Sequence, residues 1–425
     1  MRFRFVGLLL LVSLASWAQG PAGTPASLVI RNVTVVDGGR ATLSSSLVIR
    51  GGTIAAVVPA AGTPAATLTL DGTGLFAIPG LIDAHVHLSG GTWTEAVEQL
   101  RRAVDGGVTT VFDLAGDTRV TGHLARASIT GEIVAPSIYY CALMAGPAFF
   151  TDPRVLDASV GFAPGEAPWA QAVTSDTDMI QAVAAARGSG ASAIKIYAAL
   201  DSAAAHRITE EAHRQHLRVF AHATVFPARP SDLVDAGVDM LAHAAYLVWE
   251  GSPARTDYKA RARGDFAHVP ADGPVIGHLL ESMRTRGVAL NPTLWIFTDG
   301  MPKEAITDER IAWMDAVTKR AAAIGIPIVA GTDELIGDRQ RLPTLHRELE
   351  LLVSGAGLTP AQALTAATRA AARAMGVDRV RGSLAAGHAA DIVLLAANPL
   401  DDIRNTRRIR DVIKDGRLVF PASGD

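Results

Sequence analysis

Residues 79–90 read PGLIDAHVHLSG. The run is apolar, short and bounded by proline and glycine, which marks it as a strand. His85 and His87 stand two positions apart within it. Alternate residues of a strand share a face, so both imidazoles project into one space where a single cation would bind the two. An isolated H-x-H is more often a pair of surface histidines. The rest of the chain has to decide.

Working outward, apolar strand candidates recur at 81–87, 108–114, 133–143, 193–197, 218–222, 239–243, 288–294 and 327–333. Alanine-rich helical stretches lie between them, such as TWTEAVEQLRRAVDGG, TDMIQAVAAARGSG and ITDERIAWMDAVTKRAAAIGI. Eight strands alternating with helices over some 250 residues predict an α/β chain folded as a (β/α)8 barrel. A doubly wound sheet is the alternative, but no G-x-G-x-x-G follows an early strand. Outside the barrel, SLVIRNVTVVDGG and SSLVIRGGTIAAVVPA near the start, and HAADIVLLAANP and IRDVIKDGRLVF near the end, alternate β-branched and polar residues. These ends are expected to pair into one small sheet domain. The division is a sheet part at 28–76, the barrel at 77–376 and a second sheet part at 377–425.

Composition bounds the function. At 425 residues, 49% hydrophobic, 19% charged and with a net charge of −3, the chain reads as an ordinary globular protein, without the basic excess of a nucleic-acid binder. Residues 1–18, MRFRFVGLLLLVSLASWA, carry two arginines, a short apolar run and small residues at 16 and 18. That is the pattern of an export leader, with cleavage expected after Ala18, a flexible linker at 19–27 and a periplasmic or secreted product. The apolar run is short for a bilayer span, so no stable membrane anchor is expected after cleavage. Cys141 is the one cysteine, which excludes an internal disulfide.

The active site of such a barrel lies at the carboxyl ends of its strands. There His85 and His87 end the first strand, Lys195 lies near the end of the fourth, and His222, His243 and Asp333 end the fifth, sixth and eighth. Taken singly, each has a plainer reading: a satisfied histidine, a lysine snorkelling to solvent, an aspartate capping a helix. Six polar groups in apolar strands on one rim make a joint metal site the better account. His206, His213 and His216 sit on a polar helix, and His123, His268, His278 and His388 have no comparable setting. His346 and the long segment 246–275, which carries Arg255, Arg261 and Arg263, are left open as elements shaping the pocket.

The motifs PGLIDAHVHL, IKIYA, AHAT, LAHAA and AGTD, with the tail ELELLVSGAGLTPAQALTAATRAAARAMG and GSLAAGHAADIVLLAANPLDDI, resemble the amidohydrolase superfamily, in particular its imidazolonepropionase-like and metal-dependent dipeptidase (prolidase-like) branch. The resemblance implies a small β-sandwich built from both chain ends and flanking the barrel. It also implies two divalent metal ions, most often zinc. His85, His87 and Asp333 would hold the first, and His222 and His243 the second. A carboxylated Lys195 would bridge them, which reverses a charge otherwise out of place beside two dications. Asp333 would serve as the catalytic proton carrier in metal-assisted hydrolysis of a carbon–nitrogen bond. Dipeptides and N-acyl amino acids are the implied small-molecule substrates, with Tyr246 and Tyr197 as substrate contacts. After His243 the chain reads AAYLVWEGS, without the acidic residues that often follow in the dipeptidases, so cyclic amides and lactones stay open. A deaminase, and a metal-binding barrel without catalysis, are the remaining alternatives, and homo-oligomerisation is left open.

Overall fold

The computed structural model describes residues 26–253, 257–303, 306–337 and 340–420. The expected leader, most of the linker and Arg255 lie outside the described residues. Five strands open the chain: β1 (Ala26–Asp37), β2 (Arg40–Arg50), β3 (Thr53–Pro59), β4 (Ala66–Asp71) and β5 (Phe76–Pro79). The β1–β2 turn, Asp-Gly-Gly-Arg, places Gly38 and Gly39 at φ 57° and 75°. Two consecutive left-handed residues are what a tight hairpin of this twist requires.

The barrel staves follow as β6 (Leu81–Val86), β7 (Val108–Asp113) and β8 (Ser137–Ala145). Two short strands, β9 (Glu166–Ala167) and β10 (Ala170–Ala172), decorate the end of β8. The staves continue as β11 (Ala193–Ile196), β12 (Arg218–His222), β13 (Met240–Ala242) and β14 (Ala289–Asn291). All pair in parallel in chain order. β8 starts at Ser137 rather than the expected 133, because Pro136 cannot donate to a ladder.

The eighth stave, expected over 327–333, is reduced to a bridge between Leu290 and Ile328. It still closes the ring. On one side Leu290 N donates to Pro327 O at 2.9 Å, and on the other Ala84 N donates to Ala330 O at 3.1 Å and Asp333 N to His85 O at 2.8 Å. Helices Trp93–Asp105, Thr118–Thr130, Met179–Gly188, Ser202–Arg214, Pro230–Asp235, Pro274–Arg286 and Asp308–Ala323 connect the staves. The first shows how such helices are specified. Thr92 and Glu95 form a capping box, and Ala96, Leu100, Ala103 and Val104 make the buried stripe facing the barrel.

After the barrel come β15 (Ile392–Leu395), β16 (Ile409–Lys414) and β17 (Arg417–Phe420). The strands of the two chain ends join in one sheet, ordered β17-β16-β15-β5-β1-β2-β3 with β4 beside β1. Its seam is β5 against β15, Ile78 facing Val393. Asp37 fastens this sheet to the barrel by accepting from Arg369, Ser383 and the backbone of Leu384.

Inside the barrel, Ile82, Phe112, Cys141, Ala193, Phe220, Met240, Ala289 and Val329 form one packed layer. Side chains alternate along a strand, so the next inward positions are two residues on. On three of the staves these are Lys195, His222 and Asn291. The same periodicity that fills the floor therefore lifts polar groups into the layer above it.

Candidate active site

Asp333 is the focus of that upper layer. Its Oδ1 lies 3.1 Å from His85 Nε2 and 3.0 Å from His87 Nε2. Ligand atoms of these three residues all fall within 4.8 Å of one another, a spacing fit for one cation. The imidazoles of His85 and His243 follow at 5.0 Å between centroids, and those of His243 and His222 at 4.5 Å. Tyr246 stacks on His222 at 5.2 Å, and Tyr197 lies against the same ring at 5.1 Å. The structure thus brings seven of the eight sequence-derived site residues into one chain of ring and ion-pair contacts. The eighth, Lys195, lies wholly buried beneath it, and its charge is felt by His85, His222 and His243.

Every one of the four histidines commits its Nδ1 to the protein. The partners are Asn291 Oδ1 at 2.7 Å for His85, Ala115 O at 2.9 Å for His87, Thr224 Oγ1 at 2.7 Å for His222 and Thr293 Oγ1 at 2.9 Å for His243. The oxygens of Ala115 and Asn291 only accept, so His87 and His85 donate through Nδ1 and turn Nε2 inward; Thr293 Oγ1 allows the same at His243, whereas at His222 the Thr224 backbone N–H donates to Nδ1 at 3.2 Å. Such outer contacts orient ligand histidines in metal proteins.

The electrostatics agree with a cation. Burial lowers the pKa of His85 to about 4 and takes those of His222 and His243 well below the ordinary value, so all three stay neutral and able to ligate. Burial alone would raise the Asp333 carboxyl, but His85, His87 and His243 outweigh it and hold the group well below the usual range. Burial pulls Lys195 down to about 8, and among the described residues its Nζ has no hydrogen-bond partner. A buried ammonium with nothing to donate to is a costly arrangement. It fits a site whose remaining components are cations and an added carboxylate. His243 and Asp333 also sit at φ 73° and 68°. A left-handed backbone at non-glycine residues is strain of the kind that collects at functional sites.

Several contributors escaped the sequence reading. Asn291 and Thr293, in ALNPT, hold two of the imidazoles, and their position at the end of the seventh stave was the available signal. Asp83 accepts from His85 N, Thr332 N and Thr332 Oγ1, tying the first stave to the eighth. Tyr258, in the long segment after the sixth stave, puts its hydroxyl 3.3 Å from His222 Nε2. Arg261 lies over the Tyr258 ring at 4.1 Å. The 246–275 segment therefore does line the site. His346 does not: it is buried, with Nε2 2.9 Å from Gly106 O and Nδ1 3.0 Å from Thr406 Oγ1, on the barrel's far side. Those partners satisfy both nitrogens, which settles its role as structural.

A parallel barrel carrying histidines, an aspartate and a buried lysine at its strand ends defines a class, the metal-dependent barrel hydrolases. The chain belongs to the amidohydrolase family, whose family model matches residues 76–419, and it is a hydrolase acting on carbon–nitrogen bonds. Among curated relatives, ochratoxinase from Aspergillus niger is 27% identical over 394 residues, covering 80% of this chain and 75% of the relative. An adenine deaminase from Desulforamulus reducens is 45% identical over 78 residues, and the match spans 13% of that protein's length. Among solved structures, a putative prolidase from Bifidobacterium longum is 29% identical with a TM-score of 0.70, covering 93% of this chain and 95% of that one. The crystal structure of A. niger ochratoxinase, 24% identical with a TM-score of 0.70 and covering 93% and 96%, shares the fold.

Proposed function

We propose that the protein is an exported binuclear amidohydrolase that releases an amino acid from N-acyl amino acids or dipeptides. The observation that carries this reading is the set of four imidazoles anchored through Nδ1 around Asp333, above a buried lysine that has no hydrogen-bond partner among the described residues. His85, His87 and Asp333 would hold one divalent ion and His222 and His243 the other, with Lys195 between them as its carbamate. Bound ions, zinc first among them, would make water nucleophilic near neutral pH and polarise the scissile carbonyl. Asp333 takes the proton of the attacking water as the carbon–oxygen bond forms, and delivers it to the leaving nitrogen as the carbon–nitrogen bond of the tetrahedral adduct breaks, so the amine departs neutral. The Tyr246 and Tyr197 hydroxyls, with Tyr258 beside His222, are the donors that would orient the substrate's oxygens.

The long match to an ochratoxinase and the likeness to a putative prolidase support amide cleavage next to an amino acid. Residues 1–18 support export, and protein recovered from the periplasm or medium should begin at Gln19. The test of the whole is metal content by mass spectrometry together with release of amine from a panel of N-acyl amino acids and dipeptides. About two metals per chain and new amine are expected, and His85→Ala should lose both while keeping its circular dichroism. Full activity in a metal-free His85→Ala protein would overturn the reading.

A further inference from the structure

Three of the four imidazoles are held by side chains at the stave ends, those of Asn291, Thr224 and Thr293. His87 is the exception. Its side chain is 34% exposed, and its Nδ1 rests on Ala115 O, a backbone atom in the loop after β7. A loop oxygen orients a ring only as well as the loop itself is fixed. The group that fixes this one is Asp113, a wholly buried residue that takes no part in the proton transfers.

Asp113 ends β7, and its two oxygens face different loops. Oδ2 accepts from Leu88 N at 2.8 Å, and Oδ1 accepts from Ala115 N at 3.0 Å. Leu88 follows His87 directly in the chain, and Ala115 is the residue whose oxygen receives the His87 ring. One carboxylate thus holds His87 from both sides, through the backbone just after it and through the acceptor of its Nδ1. Ala115 has φ 143°, a region that residues with a side chain rarely adopt. Such a conformation persists only where its surroundings impose it, and the bond to Asp113 is what holds the Ala115 amide. Beside it, Gly116 brings the two loops together: a Cβ there would meet Ser89 Cβ at 3.0 Å and Asp113 Oδ1 at 3.4 Å. Burial pushes the Asp113 carboxyl up, while His87 and the two backbone N–H groups act against it and favour the anion. The same loops, through Ser89, Gly90, Ala115 and Gly116, line a cavity of about 400 Å³ that the β8–β11 connection closes beside His87.

We infer that Asp113 is a positioning residue: its carboxylate clamps the loops after β6 and β7 and so aims His87 Nε2 at the ion position shared with His85 and Asp333. This rests on the binuclear reading above and concerns one of its two ion positions. A neutral amide is no substitute. Asparagine at 113 accepts through Oδ1 but turns an amino group toward the second backbone N–H, so one loop loses its hold.

The test is a zinc-competition titration of Asp113→Asn beside the unsubstituted protein, each starting metal-free. One of the two zinc ions should bind about 10- to 100-fold more weakly, the scale on which outer contacts of ligand residues act, while the other stays within about twofold. Metal-free samples carrying isotopically labelled histidine supply a readout that needs no turnover. In proton–nitrogen NMR the Nδ1–H resonance of His87, assigned by its loss in His87→Gln, should be present in the unsubstituted protein. It should vanish or broaden in Asp113→Asn, with that of His85 retained. A carboxylate that merely fastened the loops would lower the melting temperature of Asp113→Asn and leave both zinc affinities and the His87 resonance unchanged. That result would overturn the inference and leave the binuclear reading standing. If Asp113→Asn does not fold, linkage answers in the unsubstituted protein. Zinc at His87 and the hold on Leu88 and Ala115 strengthen each other, so zinc should slow hydrogen exchange of those two amides at least about tenfold. Exchange indifferent to zinc would sink the inference alone. An unsubstituted protein that binds no zinc would sink the binuclear reading with it.

Discussion

Lys195 is the residue whose surroundings ask most of it. It lies in the layer directly above the packed floor of the barrel, wholly buried, and its Nζ has no acceptor among the described residues. A lysine lowered to about 8 exposes a neutral amine near physiological pH, and a neutral amine adds carbon dioxide. A carbamate formed there would be anionic and carry two oxygen donors, which suit divalent ions. Metal uptake should therefore depend on bicarbonate. Protein stripped of metal and reconstituted in buffer depleted of carbon dioxide should bind at most about half the metal it takes up with bicarbonate present. Lys195→Met, which keeps the length and discards the amine, should bind that reduced amount in either buffer. Equal metal uptake with and without bicarbonate in the unsubstituted protein would remove the carbamate from the site.

At the scale of the strand, the eighth stave is too irregular to be assigned as one, yet it carries Asp333 and must approach the first stave closely. Gly331 allows the approach: a Cβ there would meet Asn291 Nδ2 and His85 Cβ at 2.7 Å and His85 N at 2.8 Å. Two of those atoms belong to the residue that Asp333 contacts. Gly331→Ala should cost about 1–3 kcal/mol through overpacking and should loosen metal binding as well, because the strain falls on the His85–Asp333 pair. Thermal denaturation and a metal-competition titration would read the two effects. A variant with the parent's melting temperature and metal affinity would show that the two staves are free to shift. The staves and the polar residues at their ends were legible because period-two alternation and an H-x-H survive in one dimension. The Nδ1 partners were only half legible. Asn291 and Thr293 follow the strand's own parity, whereas Ala115 holds His87 through a backbone oxygen that no side chain advertises. Tyr258 and the β8–β11 cavity were illegible, since irregular segments carry no period, and only their length marked them.

For the molecule as a whole, the barrel and the terminal sheet are joined by buried polar ties, and His346 is one that titrates. It opens the helix Leu345–Ser354 and bridges the turn at Gly106, below the barrel, to Thr406 in the segment leading to β16. Burial holds it neutral and lowers its pKa from the ordinary 6.5 to about 4. The folded pKa is thus below the unfolded one. The unfolded chain takes up this proton as pH falls past 6.5, whereas the folded chain refuses it until about 4. Stability from this residue is full above pH 6.5 and drains away between those two values, by about 3 kcal/mol in all. Buried Glu348, with a pKa raised to about 8, works in the opposite sense and loses stability as pH rises, so the profile of the unsubstituted protein alone would not isolate the histidine. A difference does. His346→Gln keeps an amide donor for Gly106 O and has nothing to titrate. At pH 7.5 it should be less stable than the parent by about 1 kcal/mol, the ordinary worth of an imperfect replacement hydrogen bond. As pH falls from 6.5 toward 4 the gap should close and then reverse, read by urea denaturation at half-unit steps. Parallel profiles for the two proteins across that window would mean that His346 is solvated or already charged in the folded state, and that the tie between barrel and sheet does not sense acid.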